Sequence, residues 1–310
     1  MAVDVHDAID GAKNIIENNS FWSKHDTFCP VYAWTNENVN SALDFGDAYG
    51  RQKVLSILAS GDQVFSMLDY KINDIDTFDI NALTEYYALG LKRAMILKYD
   101  YFSYMNMMEK IYSSATSNEE LYEIIKGLFP YMEKRHSYFW QSLIDYDAFL
   151  RSKRIGYEQK NLIVTLTHAN RSVHYLTEYV LYLSNEYYYN LTKENLSKAN
   201  ITFKTADAQE IDKHFTGPYD FIYLSNVLDF FDSFGSNWDY AKLLEYEERV
   251  KKLACKDASI VLKYALDYPY LQNLFRNACV DIEKSFQDEE LYRFGNSRDS
   301  RDAILLVRTK

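Results

Sequence analysis

The chain has 310 residues, 47% of them hydrophobic and 25% charged, and a formal charge of −11. That length allows one large domain or two small ones, and the composition is ordinary for a globular protein. The acidic balance argues against a nucleic-acid partner or an anionic membrane surface, since both repel a net negative protein.

Residues 1–50 read as a helical and irregular cap, broken at Pro30. Within it, VYAWTNENVNSAL (31–43) sets Tyr32 and Trp34 just ahead of Asn36 and Glu37. The N-terminus, MAVDVHDAIDGAKN, lacks the basic and apolar regions of a signal peptide. No apolar run approaches the ~18 residues a spanning helix needs. The expectation is a cytoplasmic protein without stable membrane insertion. Cys29, Cys255 and Cys279 stand far apart and form no CxxC pair. They indicate neither a disulfide framework nor a zinc site, so no metal is expected. The 28 tyrosines suit a stacking surface, but AT-rich codon bias explains them as well and is the reading we favour.

The next segment, KVLSILASGDQVFSMLDYKINDIDTFDIN (53–81), is the most informative. A strand is expected at 53–58, then a turn at Ala59, Ser60, Gly61 and Asp62, a helix over 62–70, and a strand over 75–79 ending on Asp79. This is the strand–turn–helix–strand–acid pattern of a nucleotide-binding α/β unit. The turn lets backbone N–H groups approach a ligand, and the acid at the second strand tip takes ribose hydroxyls. The dinucleotide fingerprint needs three glycines, and Gly61 is alone here. A one-glycine turn suits S-adenosylmethionine (SAM), which has no pyrophosphate to cradle. A helix over 82–98 follows, with apolar residues at three- and four-residue spacing.

From 99 to 198 the α/β rhythm stops, and aromatic residues recur at helical spacing. This reads as a helical insertion within a domain spanning 51–310, since no Pro/Gly/Ser linker flanks it. His168 and His174 lie about 240° apart around a helix at ~100° per residue, so they form no metal pair. Strands resume at 201–205, ending near Asp207 and Ala208, and at 219–224, ending at Ser225 and Asn226. A charged helix is expected over 239–254, a strand over 259–264 and a helix over 268–280. Two late strands, near 281–287 and at 303–309, would form an antiparallel edge. The expected architecture is α/β, a mainly parallel Rossmann-like sheet covered on both faces.

Ligands of such sheets bind beyond the C-terminal strand ends. Four ends carry polar residues: the 59–62 turn, Asp79-Ile80-Asn81, Asp207-Ala208, and Ser225-Asn226 with Asp229. The turn would meet the amino-acid portion of SAM, Asp79 the ribose and Asp207 the adenine. Asp207 and Ser225 also read as plain helix N-caps. Tyr32 and Trp34 could face a sulfonium cation, whereas Tyr223 reads as core. Arg293, Arg298, Asp299, Arg301 and Asp302 read as a solvated ion-pair loop as readily as an anion site.

The phrases VLSILASGDQVFSMLDY, IDTFDINALTEYYALGLKRAMI and YDFIYLSNVLDFF resemble the SAM-dependent 3-amino-3-carboxypropyl transferases of betaine-lipid synthesis and their bacterial relatives. The resemblance covers most of residues 25–310. It implies a SAM-dependent methyltransferase fold and SAM binding at Ser60, Gly61, Asp62, Asp79, Asn81 and Asp207, with Ser225, Asn226 and Asp229 near the transfer centre. The aromatic loop departs from the family pattern: Trp34 is followed by Thr35 and Asn36 where an acid is expected, and Lys263 stands where relatives carry Arg. The expected activity is aminocarboxypropyl transfer to a small-molecule or lipid acceptor. Trp34 and Asn36 would meet the acceptor, and Asp229 or Tyr32 would assist deprotonation. Methyl transfer is the alternative, and SAM binding without turnover the second.

Overall fold

A computed structural model describes residues 3–18, 27–113, 115–153, 161–169, 172–230, 240–265, 289–294 and 302–309, with backbone only at 229–230, 240–241, 265, 289–294 and 302–303. The expected helix 268–280 and strand 281–287 fall outside these residues. The same holds for the side chains of Asp229 and of the Arg293–Asp302 cluster.

In chain order, α1 (Val5–Asn18) precedes β1 (Val31–Tyr32), α2 (Val39–Phe45), β2 (Lys53–Ile57), α3 (Asp62–Asp69) and β3 (Asp74–Asp79). A π-helix, Glu85–Lys92, runs directly into α4 (Arg93–Lys98). Then come α5 (Tyr101–Tyr112), α6 (Asn118–Lys126), α7 (Lys134–Lys153), α8 (Leu162–Leu166), β4 (Thr167–His168), α9 (Leu181–Ser184) and α10 (Glu186–Leu196). The chain finishes with β5 (Asn200–Thr205), α11 (Ile211–His214), β6 (Tyr219–Tyr223), α12 (Tyr240–Lys251), β7 (Ala254–Ala265), β8 (Glu289–Phe294) and β9 (Asp302–Arg308).

Seven strands form one sheet in the order β5-β3-β2-β6-β7-β9-β8. β5 through β7 are parallel, and β9 runs antiparallel between β7 and β8. The chain winds outward from β2 in one direction and from β6 in the other. Their junction is therefore the topological switch point of a Rossmann-like α/β fold. This strand order, with the antiparallel member inside the far edge, is the arrangement of the SAM-dependent methyltransferase fold. The late antiparallel pair expected from sequence is present, although its first strand is Glu289–Phe294.

Alternation along each strand explains why the sheet is covered twice. Val54, Phe221, Tyr223, Val261 and Ile304 enter one apolar core, while Leu55, Ile222, Leu224, Ile260 and Leu305 enter the other. Successive side chains point to opposite faces, so a strand apolar at every position needs a layer on each side. α12 and α11 supply the second layer through Leu243, Tyr246 and Ile211. The first layer is thicker, built from α1, α3, the π-helix and the helices between β3 and β5.

Two features were not expected from sequence. The helix after β3 begins in π geometry, which places Lys92 and Ala88 against the turn after β2. A two-stranded parallel ribbon pairs Val31 with Thr167 and Tyr32 with His168, joining the N-terminal segment to the helical stretch. Among the described residues no helix is long and apolar enough to cross a membrane.

Candidate functional site

The turn after β2 is held by its own backbone. Gly61 has φ +84° and caps α3. A Cβ there would lie 2.9 Å from Ala88 Cβ and 3.0 Å from Phe65 Cε2, so both the left-handed backbone and the tight packing require glycine. Ala59, at φ 41°, and Ser225, at φ 58°, take left-handed conformations without that freedom. They end the adjacent strands β2 and β6, so the strain sits at the switch point, where functional sites concentrate it.

A cavity of about 1110 Å³, counting its open mouth, lies over these strand ends. Twelve sequence-predicted residues line it: Tyr32, Trp34, Asn36, Ala59, Ser60, Asp79, Ile80, Asn81, Asp207, Ala208, Ser225 and Asn226. Ile57, Phe78, Ala206 and Val227 supply apolar wall. Three carboxylates, Glu37, Asp79 and Asp207, share the lining, and no Lys, Arg or His is among its described residues. Such a wall favours a cationic ligand and disfavours phosphate.

Asp79 accepts from the Ala59 N–H at 3.0 Å and the Asn81 N–H at 2.9 Å, which ties the second strand tip to the first turn. It is 8% exposed. Burial pushes its carboxyl up to about 6, against the backbone N–H groups of Asn81, Ala59 and Ile80, which lower it. The Gly61 N–H donates to the Leu58 carbonyl at 2.7 Å. With the Ala59 and Gly61 N–H groups already used, the turn is a poor phosphate cradle. Asn81 is also committed, donating to the Cys29 carbonyl at 2.9 Å and accepting from the Leu83 N–H.

Asp207 caps the following helical turn through the Gln209 N–H at 2.9 Å while lining the cavity, so the capping and binding readings coexist. Ser225 donates to Glu37 at 2.5 Å, and so does the Tyr223 hydroxyl at 2.8 Å. Tyr223 is core, as expected, but its hydroxyl serves the site from behind. Glu37 supplies the acid that seemed absent beside Trp34, three positions after it. The sequence signal was the Trp34–Glu37 spacing, masked by the intervening Thr35 and Asn36.

Two expected ligand residues are placed elsewhere. Gly61 and Asp62 do not line the cavity. Asp62 is 0% exposed and lies 2.6 Å from Lys92 Nζ, itself 1% exposed. The carboxylate also accepts from the hydroxyls of Ser60 and Tyr182 and from the Thr35 N–H. Lys92 donates further to the carbonyls of Ala33 and Ser60, both at 3.1 Å. Burial pulls its ammonium below the ordinary value, opposed by Asp62. One buried pair thus joins the aromatic loop, the turn, the π-helix and α9. Its remaining oxygens and protons are satisfied, which a buried ion pair requires.

Tyr32 lines the cavity with its phenol raised to about 12, by burial first and then by Cys29, Asp79 and Glu37. It stays protonated at neutral pH, as an ordinary phenol does. Of Asp229 only the backbone is described, on the turn Val227–Phe230. His168 packs edge-on against Tyr32, and His174 pairs with Glu109 at 2.9 Å.

The sequence matches no known protein family and no curated protein. Remote likenesses to solved structures were found. An rRNA methyltransferase from Streptomyces viridochromogenes is 10% identical with a TM-score of 0.41, covering 91% of this chain and 89% of its own. A putative methyltransferase from Streptococcus mutans, solved with S-adenosylhomocysteine (SAH), is 10% identical with a TM-score of 0.36, covering 89% and 99%. An rRNA methylase from Streptococcus thermophilus is 8% identical with a TM-score of 0.35, again covering 89% and 99%. Likenesses this remote say nothing of the chemistry here.

Proposed function

We propose that this chain is a SAM-dependent transferase, and that the group it moves is the methyl. The observation that carries SAM binding is the switch-point cavity, with three carboxylates and no described cation in its wall. Asp79 would hold the ribose hydroxyls, Asp207 the adenine amino group, and the 59–60 turn the amino-acid arm. SAM supplies a sulfonium leaving group, so the protein's tasks are to place the acceptor in line and to exclude water. An arm anchored at the turn stays with the departing sulfur in methyl transfer. In aminocarboxypropyl transfer the same arm is the group transferred and can stay at the turn while methylthioadenosine departs; what favours the methyl is the strand order of the methyltransferase fold, an analogy of fold. The second reading, aminocarboxypropyl transfer, is favoured by the phrases at residues 54–70, 75–96 and 219–231.

An acceptor hydroxyl or amine must lose a proton. Glu37, buried in the wall and oriented by Tyr223 and Ser225, is suited to take it. A small neutral or cationic acceptor fits an acidic cavity in a chain of charge −11 better than a polynucleotide does. A lipid acceptor would have to present its headgroup at the cavity mouth.

The test is incubation of purified protein with SAM and cell extract, followed by mass detection of products. SAH formation supports methyl transfer. Methylthioadenosine without SAH would replace it with aminocarboxypropyl transfer. Neither product, with SAM bound, would leave a binding protein. Glu37→Gln is expected to keep SAM binding and lower turnover by ~10²-fold or more.

A further inference from the structure

β5 is the outer strand of the sheet, and among the described residues nothing pairs with its free side. The Asn200 N–H donates to the Asn73 carbonyl and the Ala206 N–H to the Asp79 carbonyl, so the even-numbered residues bond inward to β3. In a parallel ladder the N–H and C=O of one residue point the same way, and that direction alternates along the strand. Ile201, Phe203 and Thr205 therefore present their backbone donors and acceptors at the open edge, without a partner among the described residues. Such an edge is a template for another strand unless charge, proline or a bulge guards it. β5 has no proline, and its register with β3 is unbroken over Asn200–Thr205. Its one lysine, Lys204, lies on the opposite face from Phe203 and donates to the His214 carbonyl at 2.8 Å.

A polar cavity, about 790 Å³ with its mouth, runs along this edge beside Ile201 and Phe203. Both side chains are half-buried against the first apolar core. Two guanidiniums line the cavity. Arg135 is committed to Glu85 at 2.5 Å, and Glu85 also meets His136 at 3.3 Å. Arg93, at the start of α4, is half-buried, and its side chain forms no ion pair or hydrogen bond among the described residues. Glu133, exposed and equally unpaired, lies too far for an ion pair but near enough for its field to reach Arg93. A two-fold rotation sets a surface against itself, so an unpaired cation beside an unpaired anion is self-complementary.

We propose that the occupant of this edge is a second copy of the chain, with β5 pairing antiparallel with the partner's β5 about a two-fold axis beside Phe203. That register uses every outward group. Phe203 exchanges two bonds with the partner's Phe203, while Ile201 and Thr205 do the same with the partner's Thr205 and the partner's Ile201. The axis stands perpendicular to the sheet, so the thick helical layers of both copies fall on one side and their cavities face each other. The two phenylalanine rings become cross-strand neighbours. Arg93 meets the partner's Glu133, and Glu133 the partner's Arg93, as two seven-stranded sheets become one. A second copy fits the groove better than an acidic peptide, which would answer Arg93 and leave Glu133 opposed. Repulsion between two copies of charge −11 is screened beyond ~8 Å at physiological salt, so the facing pairs decide.

Sedimentation equilibrium of the full chain is the test. At ~100 µM, above the micromolar end of the Kd range for interfaces of standard size, the mass is expected to approach that of two chains. Arg93→Glu sets carboxylates against each other at both contacts and is expected to weaken dimerisation at least ~10-fold, as is Glu133→Arg. The double variant, Arg93→Glu with Glu133→Arg, should return to within ~3-fold of the wild type. Thr205→Pro removes an outward N–H that β3 does not use and puts a ring in the partner's way, so it should also weaken the dimer at least ~10-fold. Cooperative thermal melts show that each variant folds. A monomer at every concentration would overturn the proposal and leave the edge to an extended segment of another protein. A dimer indifferent to Thr205→Pro, or a double variant no tighter than the single ones, would overturn it as well.

Discussion

Asp79 combines two demands that pull against each other. In the proposed ribose contact its carboxylate would accept more strongly when ionised, yet burial raises it to about 6. SAH affinity is therefore expected to be level above pH 7 and to weaken as pH falls through about 6, measured by calorimetry. Asp79→Asn should bind SAH ~10–100-fold more weakly, since hydrogen bonds to a charged group contribute about 1.5–3 kcal/mol. It should also flatten that pH profile. Glu37 is constrained differently: two hydroxyls from the β6 end fix its orientation, so its position depends on a strand more than 180 residues away in sequence.

At the scale of elements, the π-helix braces the site from behind the strand tips. Its geometry carries Lys92 to the back of the turn, and its Ala88 leaves room only for glycine at position 61. Single-turn π segments often mark functional places in helices. Lys92→Met would strand the buried Asp62 charge, a loss of ~3–5 kcal/mol. A fall in Tm of roughly 10 °C is expected from the ~2–4 °C per kcal/mol of chains this size. Replacing both partners, Lys92→Met with Asp62→Leu, should restore much of the Tm but not the SAH affinity, because the aromatic loop and the turn would no longer share an anchor. Full recovery of both would reduce the pair to a stabilising contact. Tyr87, Tyr112 and Tyr182 place hydroxyls on Ala33, on one another and on Asp62, so tyrosine satisfies polar groups inside a thick layer while filling it.

Across the whole molecule, ligand and pH both act on stability, and Asp79 is the carboxyl common to the two. SAH at 100 times its Kd should add ~2.7 kcal/mol, a Tm rise of roughly 5–10 °C. Burial raises the Asp69 carboxyl to about 7 and Asp79 to about 6, both from 3.8, and one Asp69 oxygen has no partner. The folded chain keeps these protons where the unfolded chain has released them. Stability without ligand is therefore expected to decline as pH rises from about 4 to about 7. Asp69→Asn should remove the upper part of that slope in thermal melts. The strands, the one-glycine turn and the acids at 79 and 207 were legible in the sequence, because alternation, turn chemistry and strand-end acids are written within a few residues of one another. The fate of Asp62 was not, since Lys92 stands 30 residues away and meets it only through the π-helix. Glu37 was visible as a residue but not as part of the wall, since the hydroxyls at and beyond the end of β6 help orient it. By itself the sequence determined a doubly covered sheet and the strand ends over which the cavity lies. Tertiary structure decided which acids face the cavity and which are buried behind it, because long-range packing sets how each helix and loop approaches the strand tips.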